Sequence, residues 1–156
     1  LVAKEADFRE LEKFLENWTD AYNDFDDFLR KFLLEMALRA VAKIKDNTIE
    51  DTGALRNSWG VGNQALQVGR TKEQAPSAFE QAATIESVEV VGDSFVITIF
   101  NLMDYASFVE FGYRLRNGRW KDGRFMMTIG IDQVQKQIPA RWNKSFKAYL
   151  QSKGAN

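Results

Sequence analysis

The apolar positions that open the chain, Phe8, Leu11, Leu15, Trp18, Tyr22, Phe25, Leu29, Phe32 and Met36, recur at alternating spacings of three and four, which marks one helical stripe. Trp18-Thr19-Asp20 and Tyr22-Asn23-Asp24 set cap-forming residues inside that stripe. The pattern therefore predicts a short first helix, a bend near residues 17–24 and a long second helix to about residue 47. Phe28, Leu33, Ala37, Ala40, Val41 and Ile44 widen the apolar face of the second helix, which favours packing on a sheet over a two-stranded coiled-coil seam.

The helical period stops at Asn47 to Gly53, and Arg56 to Val61 reads as a first strand. Residues 62–83 are poor in large apolar side chains, contain Gly69, Pro76 and Ser77, and read as a long loop or arm. Ile85 to Val91 and Phe95 to Phe100 flank Gly92-Asp93-Ser94 as a hairpin, with imperfect alternation in its first arm that calls for a bulge or two-sided burial. Asp104 to Phe111 suits a helical turn or short helix running into Gly112, and Tyr113 to Gly123, rich in Arg and Gly, a turn or second hairpin. Phe125, Ile129, Val134, Ile138, Trp142, Phe146 and Tyr149 return to helical spacing, and Pro139 must kink or divide that helix. The order predicts an α+β fold in which an antiparallel sheet of three to five strands packs against a long N-terminal helix and a C-terminal helix. A single domain over residues 1–156 is expected, with residues 1–24 as a helical extension and 62–83 as the arm.

Composition narrows the chemistry. The chain has neither cysteine nor histidine, which removes disulfides, thiolate catalysis, the commonest general base and the commonest transition-metal ligands. These absences count against enzymatic activity, leaving carboxylate or lysine chemistry open, and no cofactor or metal is expected. No apolar run approaches the roughly 20 residues that span a bilayer, and Leu1 to Asp7 has neither the basic start nor the apolar core of a secretory signal. Net charge is −1, unevenly placed: residues 1–30 hold four basic and nine acidic residues, net −5, and residues 114–153 hold ten basic and two acidic, net +8. Opposite charge at the two ends can draw one copy head-to-tail onto another, and contacts of that kind close into rings. The competing reading is two solvated faces.

Two short blocks stand out. In Asp51-Thr52-Gly53-Ala54-Leu55-Arg56-Asn57-Ser58-Trp59, Gly53 can supply a positive φ while Asp51 and Thr52 accept hydrogen bonds from the turn. Arg56 and Trp59 would lie on opposite faces of a strand. In Asn101-x-x-x-Tyr105-Ala106-x-x-Val109-Glu110-x-Gly112 one carboxylate sits among aromatic residues with no nucleophile or second carboxylate beside it, so a structural ion pair from Glu110 to Arg56 or Arg114 is expected. Arg114, Arg116, Arg119, Lys121 and Arg124 surround Trp120, a mixture that suits either single-stranded nucleic acid or an acidic neighbouring subunit. Gly60-Val61-Gly62 lacks the third glycine and the Lys-Ser/Thr of a phosphate loop.

The positions Asp51, Thr52, Gly53, Leu55, Arg56, Ser58, Asn101, Tyr105, Ala106, Val109, Glu110, Gly112 and Arg114, in this order and about fifty residues apart, resemble the neck and tail-completion proteins of long-tailed bacteriophages and prophages, a family of morphogenesis and tail-component proteins. The likeness spans about residues 25–150 and departs at segment 113–124 and at Met126-Met127. It implies an α+β fold, no enzymatic activity, and a sixfold homo-oligomeric ring in the virion, between capsid connector and tail tube, or a collar in a headless tail-like bacteriocin. Partners implied are further copies of the chain and neighbouring neck, connector or tail-tube proteins, with assembly in the host cytoplasm and DNA only as cargo passing through the lumen. A tail terminator ring, or a nucleic-acid-binding accessory protein using the Trp120 segment, is the alternative.

Overall fold

The structure, a computed structural model, describes residues 9–49, 53–62 and 83–153; Asp51, Thr52 and residues 63–82 of the expected arm lie outside the described residues, as do 1–8 and 154–156. Helix α1 (Arg9–Asn47) is one helix of 39 residues, about 58 Å long at 1.5 Å per residue. The bend expected at residues 17–24 does not occur. Thr19, Asp20, Asn23 and Asp24 are all exposed, residues 9–47 hold no Gly or Pro, and poor helix formers cost only about 0.5 kcal/mol each. Asp26 also pairs with Arg30 one turn on, at 2.6 Å. The helix ends where the Thr48 hydroxyl donates to the Ile44 carbonyl at 2.7 Å.

Where a strand from Arg56 was expected, the chain makes a single helical turn, α2 (Ala54–Asn57), and β1 is only Trp59–Val61. Local bonds favour the turn: the Asn57 N–H donates to the Gly53 carbonyl at 2.9 Å and the Ser58 hydroxyl to the Ala54 carbonyl at 2.7 Å. The first arm of the expected hairpin is likewise shorter. Ile85–Ser87 is a 3-10 turn closed by a reciprocal Thr84/Ser87 capping box, which explains the broken alternation without a bulge. Strands β2 (Glu89–Val91) and β3 (Ser94–Val96) then pair antiparallel through Gly92-Asp93, β4 (Ile99–Asn101) pairs antiparallel with β1, and β5 (Gly112–Arg114) with β6 (Trp120–Asp122). The fold is α+β and its strands antiparallel, but the described strands form three two-stranded ladders instead of one larger sheet. The extended run 94–101 divides its pairing, with β3 bonded to β2 and β4 to β1, and Ile97 and Thr98 between them.

Pro139 divides the C-terminal helix into α4 (Met126–Gln135) and α5 (Ile138–Ser152), taking a first-turn position where no N–H is required of it. Helix α4 crosses α1 so closely that the fully buried Ile44 touches Gly130 directly. Around Ile44 the core gathers Ala37, Val41, Leu55, Trp59, Val61 and Met126. Helix α5 runs antiparallel along α1 and meets it through aromatic rings: Phe25, Phe28 and Phe32 face Trp142, Phe146 and Tyr149, with centroids 4.6 Å apart for Phe28–Tyr149 and 5.1 Å for Phe32–Trp142. No residue of α5 is fully buried.

Candidate assembly surface and the joint beneath it

The two motif blocks form one joint. Trp59 stands opposite Asn101 in the β1–β4 ladder; the Asn101 side chain donates from Nδ2 to the Leu55 carbonyl at 2.9 Å, and its Oδ1 accepts from Met103 N at 2.9 Å. Trp59 is buried and its indole Nε1 donates to the Thr48 hydroxyl at 3.0 Å, tying the first block to the end of α1. Leu55 is buried in the core and Arg56 is half-buried. Gly53 has φ 73°, the left-handed conformation that the sequence required of it, and a Cβ there would meet only the Asn57 Nδ2 at 3.5 Å, an ordinary contact. Its substitution is therefore strained by backbone conformation and not by clash. Gly53→Val is expected to cost about 1–3 kcal/mol, with Gly53→Asn recovering most of it because Asn tolerates positive φ. A denaturant melt showing no difference between Val and Gly would contradict this.

Glu110, 4% exposed, does not pair with Arg56 or Arg114. Its carboxylate accepts from the backbone N–H groups of Met127 (2.9 Å) and Thr128 (3.0 Å) and from the Thr128 hydroxyl (2.8 Å). It thus caps α4 from another element, where the helix dipole favours negative charge. This role is structural, as expected, but the partner is a helix end and not a guanidinium. Short helix α3 (Ala106–Phe111) positions the carboxylate, and backbone bonds from Arg124 N to Val109 O (2.8 Å) and Phe125 N to Glu110 O (3.0 Å) fix the approach. Gly112, φ 87°, follows at once; a Cβ there would lie 2.4 Å from the Lys121 carbonyl, so the β5–β6 hairpin can close only on glycine. Thr128 and Gly130 were not singled out from the sequence, although a glycine inside an apolar helical pattern is a readable sign of close approach.

The hairpin β5–β6 projects from this joint. Arg114, Arg116, Arg119, Trp120, Lys121 and Arg124 are all exposed, Trp120 at 61%. The turn is ordered by Leu115 N to Arg119 O at 2.8 Å and by Arg119 N to the Asn117 side chain at 3.1 Å, and Lys121 lies 5.8 Å from the Tyr113 ring centroid. The hairpin does not stand alone. Tyr105, exposed at the start of α3, lines an open groove of about 530 Å³ with Phe108, Val109, Tyr113 and Arg114. Phe111 and Phe125 are exposed nearby in the chain. An exposed aromatic groove beside cations has the composition of an interface.

Part of the charge asymmetry is spent within the chain. Asp24 pairs with Lys153, keeping its ammonium protonated above the usual lysine range by a direct hydrogen bond, and Glu35 lies 3.8 Å from Arg141. These pairs bracket the aromatic contact of α5 on α1. The basic charge of the β5–β6 hairpin is left facing solvent.

Among the described residues no group of three Asp, Glu, His or Cys side chains is placed to hold a metal ion, and no helix is long and apolar enough to cross a membrane. The model of a family described as "Bacteriophage HK97-gp10, putative tail-component" matches residues 9–112, a span that runs from α1 through both motif blocks to Gly112. No curated protein and no solved structure matches the chain.

Proposed function

The chain belongs to the HK97-gp10-like family of bacteriophage tail components, and from that membership we propose that it is a virion structural protein of the head–tail junction, a subunit of a neck or tail-completion ring of six copies. In a tail-like bacteriocin the same ring is a collar. Its work is docking and not catalysis: each copy contributes a modest contact, and ring geometry multiplies them. The observation that carries this reading is the exposed cationic and aromatic surface of β5–β6 and α3, held on a joint in which Asn101 and Glu110 are committed to structure. Neighbouring neck, connector or tail-tube proteins and further copies of the chain are its partners, assembled in the host cytoplasm.

The test is reversal of Arg114, Arg116 and Arg119 to Glu. All three are exposed, so the fold should survive, while joined tailed particles fall by an order of magnitude or more. A folded triple variant that yields normal particles would refute the assembly role of this surface. The same hairpin, with exposed Trp120 among cations, is also the feature that favours a nucleic-acid-binding accessory role. That reading predicts tight single-stranded DNA binding that falls steeply with salt, with a log–log slope of about −0.7 per phosphate neutralised. The ring reading predicts no tight single-stranded DNA binding at any salt concentration.

A further inference from the structure

We propose that the groove beside the β5–β6 hairpin receives the N-terminal half of α1 from a second copy of this chain, with Trp18 and Tyr22 as the inserted side chains. This deepens the ring reading and rests on it, since a contact between two different surfaces of one chain is the kind that closes a ring.

The occupant is argued from what already covers α1. From Phe25 to Phe32 its apolar face is met by α5, which brings the rings of Trp142, Phe146 and Tyr149 with Arg141 and Lys153 set against Glu35 and Asp24. The matching chemistry is therefore aromatic rings rimmed by cations. Helix α5 ends at Ser152, and the Lys153–Asp24 pair marks the end of its cover, whereas α1 continues to Arg9. Tyr22 and Trp18 are the next large side chains on that face, 66% and 68% exposed. They lie one turn apart, the spacing at which a helix presents anchors to a groove.

The β5–β6 surface offers the same chemistry a second time. Tyr105, Phe108, Tyr113 and Arg114 line the groove, Lys121 lies over the Tyr113 ring, and Arg116 and Arg119 are exposed on the adjoining hairpin turn. The arm is acidic, net −5 over residues 1–30, and the hairpin is basic, so encounter between copies is electrostatically steered. Tyr, Trp and Arg are the residues in which interface energy concentrates. Both surfaces are exposed on one copy, so neither is used to cover the other within the chain.

The native chain has no cysteine, so single thiols report cleanly. Copies bearing Tyr22→Cys are combined with copies bearing Phe108→Cys, in tailed particles and as purified chain at high concentration, and treated with a short bis-maleimide. A second pair, Trp18→Cys with Tyr113→Cys, covers a local failure of the first. The expected result is dimer only when both variants are present, and a ladder of higher species when one chain carries both thiols. Dimers from either variant alone would show a two-fold contact and overturn the proposal. So would the absence of cross-links in particles that incorporate the variants, an outcome that leaves the junction reading standing. If the chain is absent from particles the junction reading fails instead, and the purified chain decides the contact: linkage supports it and none overturns it.

Discussion

Gly130→Val is expected to lower stability by more than about 3 kcal/mol, a large share of the roughly 5–15 kcal/mol that holds a domain of this size together. The reason is the crossing of α4 on α1. A Cβ at Gly130 would lie 2.5 Å from Ile44 Cγ1, 2.8 Å from Ile44 N and 3.0 Å from Ile44 Cα. Two of those three atoms are backbone, so relief requires moving a helix and not a rotamer. Ile44 is fully buried among Trp59, Val61 and Met126, and separating the helices would loosen all of them. Gly130→Ala tests the sign. Helix propensity alone would make alanine more stable by about 1 kcal/mol, whereas overpacking costs about 1–3 kcal/mol. The expected net result is destabilisation in a urea melt, and an alanine variant more stable than the parent would contradict the close crossing.

Glu110→Ala should cost about 2–4 kcal/mol, because it removes a cap and leaves three donors at the start of α4 without their acceptor. Glu110→Gln is not a conservative change here. Every group facing the carboxylate is a donor, two backbone N–H groups and one hydroxyl, so whichever way the amide turns its NH₂ meets a donor. Gln is expected to lose about 1–2 kcal/mol, with Thr128→Val losing less than either. Melting curves for the three variants check the order. If Gln matches Glu, the carboxylate is not the cap of α4.

How far the fold could be read in advance follows from the range of the interactions. The stripe of α1 was legible because periodicity is local, and so were the β2–β3 and β5–β6 hairpins, whose turn residues announce themselves. Thr19, Asp20, Asn23 and Asp24 misled because residues that favour caps are tolerated on the exposed first part of a long helix that is anchored by packing further along, from Phe25 to Ile44. Arg56 was misplaced because a single helical turn competes with a strand through two short hydrogen bonds, from Asn57 N–H and the Ser58 hydroxyl, that no apolar pattern records. Glu110 lay beyond reach for a different reason. Its main donors are backbone amides 17 and 18 residues away, and a backbone amide has no signature in the sequence. The charge asymmetry was visible, but its partial use between α1 and α5 required the antiparallel pairing of those helices.

Locating the chain in assembled particles tests the central claim most directly. Tailed particles carrying an epitope or gold label on this protein, imaged by electron microscopy, should show the label as a single band at the junction of capsid connector and tail tube, and at the collar end of any headless tail-like particle. Label spread along the tube, confined to the distal tip, or missing from purified particles would contradict a neck or tail-completion ring.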